Sequence, residues 1–311
     1  MEQSANKFTY FTQLHSFEGS DPNVVIPEGV EVIGSFVFRG NKDIKTIILP
    51  ATTKIIESMA FQVCKHLEAA NMSACEDIQA VGNQVFAGCA QLTCVKLPER
   101  VGKQCKYEIP NSCFCNCTSL QTVDLPNGII RIGGFAFDGC IALTQLNLPE
   151  SVREIGQWAF HSCTALTGIE LPDSIREVGV CVFRNCTNLK TVKLPGGIKR
   201  LAFNIFEGCV SLKEVIIPEN VEIIETRAFA ECTSLSKIRI PNSVAQIRAE
   251  AFCGCRSLSH IYIPDSVEEI DKKAFSGCAK GFVLQSSNPK WRWYALKERL
   301  KFELIDNPHT N

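Results

Sequence analysis

The stretch Phe229-Ala230-Glu231-Cys232-Thr233-Ser234-Leu235-Ser236-Lys237-Ile238-Arg239-Ile240-Pro241-Asn242-Ser243-Val244-Ala245-Gln246-Ile247 is one unit of a pattern that starts again at Phe252. Working outward, Phe114, Phe137, Phe160, Phe183, Phe206, Phe229, Phe252 and Phe275 recur every 23 residues. Phe38, Phe61 and Phe86 extend the series upstream with spacings of 23, 25 and 28. Three residues after each of these Phe stands a Cys, from Cys64 to Cys278, with Asn41 as the one exception. Leu follows at six, as in Leu120, Leu143 and Leu212, then β-branched residues or Leu at nine and eleven, then Pro, as in Pro149, Pro218 and Pro264. Two further apolar positions, such as Val267 and Ile270, close the unit.

A unit this short is one turn of chain and has nothing of its own to bury its apolar residues against. Stacking identical turns buries them all, with Phe over Phe and Leu over Leu. The alternation in Leu-x-x-Ile-x-Leu predicts a short strand with its apolar side inward, and Pro, lacking an N–H, ends it. The Val-x-x-Ile segment predicts a second short extended piece or a tight turn on the opposite wall. The periodic cysteines take an inward position and behave as small hydrophobes. Equivalent atoms in adjacent coils sit about 4.8 Å apart, and side chains in parallel register keep their Cβ atoms wider than a disulfide prefers, so a ladder of buried thiols is expected.

These pieces resemble the BspA-like leucine-rich repeat family, whose unit has the same strand, turn and Ala-Phe-x-Gly-Cys segment. They stand here as Leu166-Thr167-Gly168-Ile169-Glu170-Leu171-Pro172, Asp265-Ser266-Val267-Glu268-Glu269-Ile270 and Ala274-Phe275-Ser276-Gly277-Cys278. The resemblance covers residues 24–284 and implies a leucine-rich repeat solenoid of about eleven coils: a curved right-handed superhelix with parallel strands on its concave face and a C-terminal capping helix. It also implies a surface protein or adhesin that binds other proteins.

The period fails in three places. Residues 1–23 precede the first unit, and Phe8, Tyr10, Phe11, Leu14 and Phe17 are expected to cover the exposed edge as an N-terminal cap. Between residues 62 and 113, Asn71-Met72-Ser73 replaces the usual strand end, and extra residues near 99–111 are expected to bulge as a loop, a common place for function. Residues 285–311 form a C-terminal cap: Asn288-Pro289 reads as a helix start, Trp291, Tyr294, Ala295 and Leu300 face the last coil, and Phe302-Glu303-Leu304-Ile305 adds a strand. Tyr294-Ala295 also matches the helix with which the family usually ends.

Composition limits the function. The 311 residues carry 32 Lys+Arg against 33 Asp+Glu, a net charge of -1, which supplies no field for nucleic acid or anionic membrane. No apolar run of about 18 residues spans a bilayer. The 17 cysteines include seven outside the period: Cys75, Cys94, Cys105, Cys113, Cys115, Cys181 and Cys253. Cys113-Phe114-Cys115-Asn116-Cys117 imitates a metal clasp, but its phase puts Cys117 in the core and points Cys115 away, and zinc sites favour Cys-x-x-Cys pairs. Cys115 and Cys253 share the position after Phe and are expected to be exposed, reactive thiols. So many unpaired thiols fit a reducing compartment. With Met1 as the start and no secretory signal, the expected location is cytoplasmic; the alternative is the cell surface, with a signal removed. His15, His66, His161, His260 and His309 fall in different phases and make no triad motif. Gly29 to Ser35 mimics the glycine spacing of a phosphate loop but lacks its Lys. Asn71, Asn116 and Asn185 head Asn-x-Ser/Thr sequons, which matter only in an exported chain. No catalytic residue, cofactor or metal is therefore assigned.

Binding remains. Outward residues fall eight and ten after each Phe: Thr122/Asp124, Gln145/Asn147, Gly168/Glu170, Thr191/Lys193, Glu214/Ile216, Lys237/Arg239 and His260/Tyr262. The first coils are neutral to acidic; the last bring Lys193, Lys237, Arg239 and His260 beside Tyr262, an aromatic among cations as in protein-recognition hot spots. The expectation is a monomer that recognises a protein partner, without catalysis, through its concave strand face. The alternative is a scaffolding or enzyme-associated subunit that engages its partner through the insertion near residues 99–111.

Overall fold

The computed structural model describes residues 7–98 and 108–306. It is a parallel-strand β-solenoid of about 11 turns with one short helix near its C-terminus. The chain divides into two compact units, Met1–Ala165 and Leu166–Asn311, and the repeat builds each in the same way.

In the first unit the strands Asn23–Val25, Thr46–Ile48, Ala69–Asn71 and Cys94–Lys96 pair in parallel, one from each coil. Their register places Val24, Ile47, Ala70 and Val95 side by side. All four are buried, because alternate residues of a strand point to opposite faces and the middle one faces the interior. The Val-x-x-Ile segment becomes a second row of two-residue strands, among them Val32–Ile33, Ile55–Ile56 and Ala80–Val81, also paired in parallel. The coils holding Thr122/Asp124 and Gln145/Asn147 carry no strand there. In the second unit Gly168–Glu170 pairs with Thr191–Lys193, Glu214–Ile216 with Lys237–Arg239, and His260–Tyr262 with Val283–Ser286 and then Lys301–Leu304. In the second unit this wall is a series of short parallel ladders.

The Phe residues form columns. Rings of Phe38, Phe61, Phe86, Phe114, Phe137 and Phe160 follow one another at 5.1–5.7 Å. Those from Phe183 to Phe275 do so at 5.2–5.7 Å. Every one of these rings is buried. Around each, the residues two before and two after take left-handed backbone, as do Met59 (φ 61°) and Val63 (φ 60°) about Phe61 and Glu250 (φ 56°) and Gly254 (φ 76°) about Phe252. Nothing in the sequence pattern announced this, since many of these positions are not glycine. The periodic cysteines do more than fill space. Nine of the ten thiols are seen to donate to the carbonyl of the Phe one coil earlier, as from Cys64 to Phe38 at 2.9 Å, Cys140 to Phe114 at 3.1 Å and Cys209 to Phe183 at 3.0 Å. Burial raises the Cys140 and Cys209 thiols well above their usual range and keeps the proton in place.

At the N-terminal edge Lys7–Tyr10 and Gln13–Glu18 make an antiparallel hairpin whose second strand pairs with Val32–Ile33. Phe8 packs on Phe17 at 5.4 Å and Phe17 on Phe38 at 5.0 Å, while Leu14 is buried. Phe11 departs from the expectation: it lies at the hairpin turn and is 95% exposed. At the other end the helix spans Trp291–Lys297, later than Asn288-Pro289 suggested. Asn288 caps a turn instead, its side-chain oxygen accepting the Lys290 amide at 3.1 Å. Trp291 and Ala295 are buried, the Tyr294 hydroxyl donates to the Asp271 carbonyl at 3.1 Å, and the added strand is Lys301–Leu304.

Candidate recognition face

Within the second unit the strands Glu214–Ile216, Lys237–Arg239 and His260–Tyr262 turn one side chain inward and two outward. The outward sides frame a groove of about 580 Å³, lined by Glu214, Ile216, Lys237, Arg239, His260 and Tyr262, with Gln285 and Ile305 at one end. Four of the five residues expected to recognise a partner, Lys237, Arg239, His260 and Tyr262, thus share one groove. Lys193 does not join them: it stands on Thr191–Lys193, opposite Glu170.

Each of the four is held differently. Arg239 is ion-paired to Glu219, and that leaves Lys237 as the cation without a carboxylate partner among the described residues. His260 is exposed, with its Nδ1 3.0 Å from the Ser259 hydroxyl. Tyr262 is buried to 6% exposure, so its role is to floor the groove; its hydroxyl meets Ser287 Oγ at 3.0 Å, and Ser287 donates to Asp265 at 2.8 Å. The residue that sequence reading left out is Ile216. It is 79% exposed on the first strand that lines the groove, and water around an apolar side chain this open costs free energy that a partner recovers. The signal was present: Asp124, Asn147, Glu170, Lys193 and Arg239 fill the same phase with polar groups.

The other candidates resolve as follows. Of the insertion near residues 99–111, residues 99–107 lie outside the described residues; at its end Asn111 takes the Gly134 amide at 2.8 Å and gives its own to Asn83 at 3.1 Å. No cysteine among the described residues forms a disulfide. Cys115 and Cys253 are half-buried, not exposed. Burial and then the Asp138 charge push Cys115 up to about 11, and burial, Glu250 and Glu231 raise Cys253; thiols protonated at neutral pH are poor nucleophiles. No metal-ligating group of three or more side chains occurs among the described residues. No helix there is long and apolar enough to cross a membrane.

One juxtaposition escaped the sequence. His161 Nδ1 lies 2.6 Å from Asp138 Oδ1, and its Nε2 lies 3.2 Å from Ser162 Oγ. This is the hydrogen-bond order of a nucleophilic relay. Its residues also tie adjacent coils together, Asp138 and His161 being 23 apart, and Trp158 packs edge-on against the imidazole at 4.8 Å.

A parallel solenoid of 23-residue turns with an outward strand wall is a leucine-rich-repeat architecture. Six copies of the BspA type leucine rich repeat region match residues 15–108, 107–232 and 199–288, and the chain belongs to that family. A leucine-rich repeat protein from Bacteroides ovatus is 24% identical, with 98% of this chain and 99% of that one covered at a TM-score of 0.62. One from Eubacterium ventriosum is 18% identical over 88% and 92%, with a TM-score of 0.54. The pneumococcal vaccine antigen PcpA is 16% identical over 99% and 98%, with a TM-score of 0.53. At these identities the likeness concerns the fold. No curated protein matches the sequence.

Proposed function

We propose that the protein is a non-catalytic recognition module that binds a protein partner through the strand wall of its second unit. The observation that carries this reading is the groove around Ile216: an exposed apolar anchor beside an unpaired cation, floored by a buried tyrosine. Repeat proteins build recognition surfaces from such outward positions, which the scaffold leaves free to vary. Mixed aromatic, apolar and basic lining suits a partner segment with an apolar side chain flanked by a carboxylate.

The test is a pull-down with the intact chain followed by quantitative binding of the captured partner. Ile216→Asp and Lys237→Glu should each weaken that binding about tenfold or more, as hot-spot changes do. Deletion of residues 99–107 should leave it intact; loss on deletion, with the groove variants still binding, moves recognition to the insertion. An active-site fluorophosphonate should leave Ser162 unlabelled; labelling would overturn the non-catalytic reading. Members of this family are often surface proteins, yet the sixteen cysteines among the described residues, none of them in a disulfide, support a reducing compartment. Recovery of the chain from the surface of intact cells would overturn that placement.

A further inference from the structure

The Phe-bearing turn is polar along the stack. In the second unit the Phe206, Phe229 and Phe252 amides donate to the carbonyls of Ala228, Ala251 and Ala274, each one coil onward, at 2.7–2.9 Å. A second row runs from Gly208 to Ala230, Glu231 to Cys253 and Gly254 to Ser276, at 2.7–2.8 Å. All these N–H groups point the same way, so their dipoles add as they do along a helix. The rows end where the coils end. The next donors, the Phe275 and Gly277 amides, have no acceptor among the described residues; Gly277 is exposed, whereas Phe275 is buried, where N–H groups are nearly always paired.

The surroundings say what would satisfy them. Both residues line an open cavity of about 320 Å³, also lined by Glu298, Arg299, Leu300 and Lys301 from the segment after the helix. Arg299 and Lys301 are exposed and have no carboxylate partner among the described residues. A third donor of the same turn, the Lys273 amide, is already served by Glu298 Oε2 at 3.0 Å. In earlier coils a backbone carbonyl holds that place, as Ala249 does for Arg227 at 3.1 Å. A carboxylate therefore substitutes for the missing coil at one donor, and its negative charge stands beside the two cations Arg299 and Lys301.

We infer that the C-terminal end of the stack binds an oxyanion, a carboxylate or phosphate group. The Phe275 and Gly277 amides are its donors, and Arg299 and Lys301 its counter-charges. Convergent backbone N–H groups at the positive end of aligned dipoles, with cations at the rim, form an anion-binding concavity. The site lies apart from the recognition groove.

The experiment is an amide NMR titration of the full chain with sodium acetate and, separately, inorganic phosphate at constant ionic strength. The Gly277 and Phe275 signals should move saturably, while Gly254, whose amide is occupied by Ser276, stays in place. The anion that saturates at lower concentration identifies the source. Arg299→Ala with Lys301→Ala, both on exposed side chains, should weaken saturation about tenfold with the rest of the spectrum unchanged. Absence of movement, drift without saturation, or saturation that the double variant leaves untouched would overturn the site.

Discussion

The first and second units share an interior and differ on the surface. On the strand wall Val24, Ile47 and Val95 of the first correspond to Ile169, Val192 and Val215 of the second, all buried. Outward, the first unit sets Asn23/Val25, Thr46/Ile48, Ala69/Asn71 and Cys94/Lys96, nearly without charge, where the second sets Thr191/Lys193, Glu214/Ile216 and Lys237/Arg239. The interior repeats because each coil must fit its neighbours at close-packed density. The exterior meets only water and so is free to diverge. The comparison teaches that chemistry in this chain sits where the period is silent.

The largest test of the shared interior is to remove one ring from each unit. Phe61→Ala and Phe229→Ala should each cost about 3–5 kcal/mol, since both rings are stacked on two neighbours at 5.1–5.4 Å. Denaturant melts read by two probes check this. Costs that differ by more than about 2 kcal/mol would break the equivalence of the two interiors, because equal burial implies equal transfer and cavity terms.

That asymmetry also explains what was legible. The Phe, Cys, Leu and Pro ladders could be read from spacing because burial constrains every copy alike. The groove was half-legible: Lys237, Arg239, His260 and Tyr262 stood out as basic and aromatic, but an outward isoleucine looked like one more apolar letter. The left-handed turn was hidden because Val63, Trp158 (φ 58°) and Arg227 (φ 57°) adopt it as Gly254 does; hydrogen bonds between coils impose the conformation over local preference. The relay from Asp138 to His161 and the thiol-to-carbonyl bonds were invisible for a different reason. They join residues one coil apart, and only stacked coordinates bring those together.

The position after the core Phe sharpens the contrast by pH. In the first unit it carries Asp138 against His161. In the second it carries Glu207, buried, with Arg184 Nε at 2.9 Å, Arg227 Nη2 at 2.6 Å and the Asn204 amide. Burial acts to raise the Glu207 carboxyl. Hydrogen bonds from Arg227 and Asn204 and the two guanidinium charges outweigh it and hold the carboxyl below its usual range. A folded-state value below the unfolded one means the contribution is complete above the unfolded carboxyl range of about 4.3. It is lost as pH falls through the folded value. Glu207→Gln should therefore cost about 2 kcal/mol at neutral pH, and the difference from the parent should shrink steadily in melts taken below about pH 4. A gap that persists undiminished in acid would assign the cost to packing instead of charge.

The smallest effect compares one backbone position filled two ways. Val63 and Gly254 both sit two residues after the core Phe with φ of 60° and 76°. A left-handed conformation costs an L-residue about 1–2 kcal/mol, and the β-branched Val63 is among the residues least suited to it. Glycine would remove that strain but add about 0.5–1 kcal/mol of backbone entropy, so Val63→Gly should be nearly neutral. Asparagine tolerates the conformation without the entropy cost, and Val63 is 36% exposed with modest packing to lose. Val63→Asn should therefore stabilise by about 0.5–1 kcal/mol, read as a rise in Tm. The reverse change, Gly254→Val, should destabilise, since a Cβ there meets Glu231 Oε1 at 2.4 Å on top of the backbone strain. If Val63→Asn lowers Tm, the packing of the Val63 side chain beside Gly88 of the next coil, where even one added carbon would touch it, outweighs the torsion, and the two units differ at this turn in packing as well as in sequence.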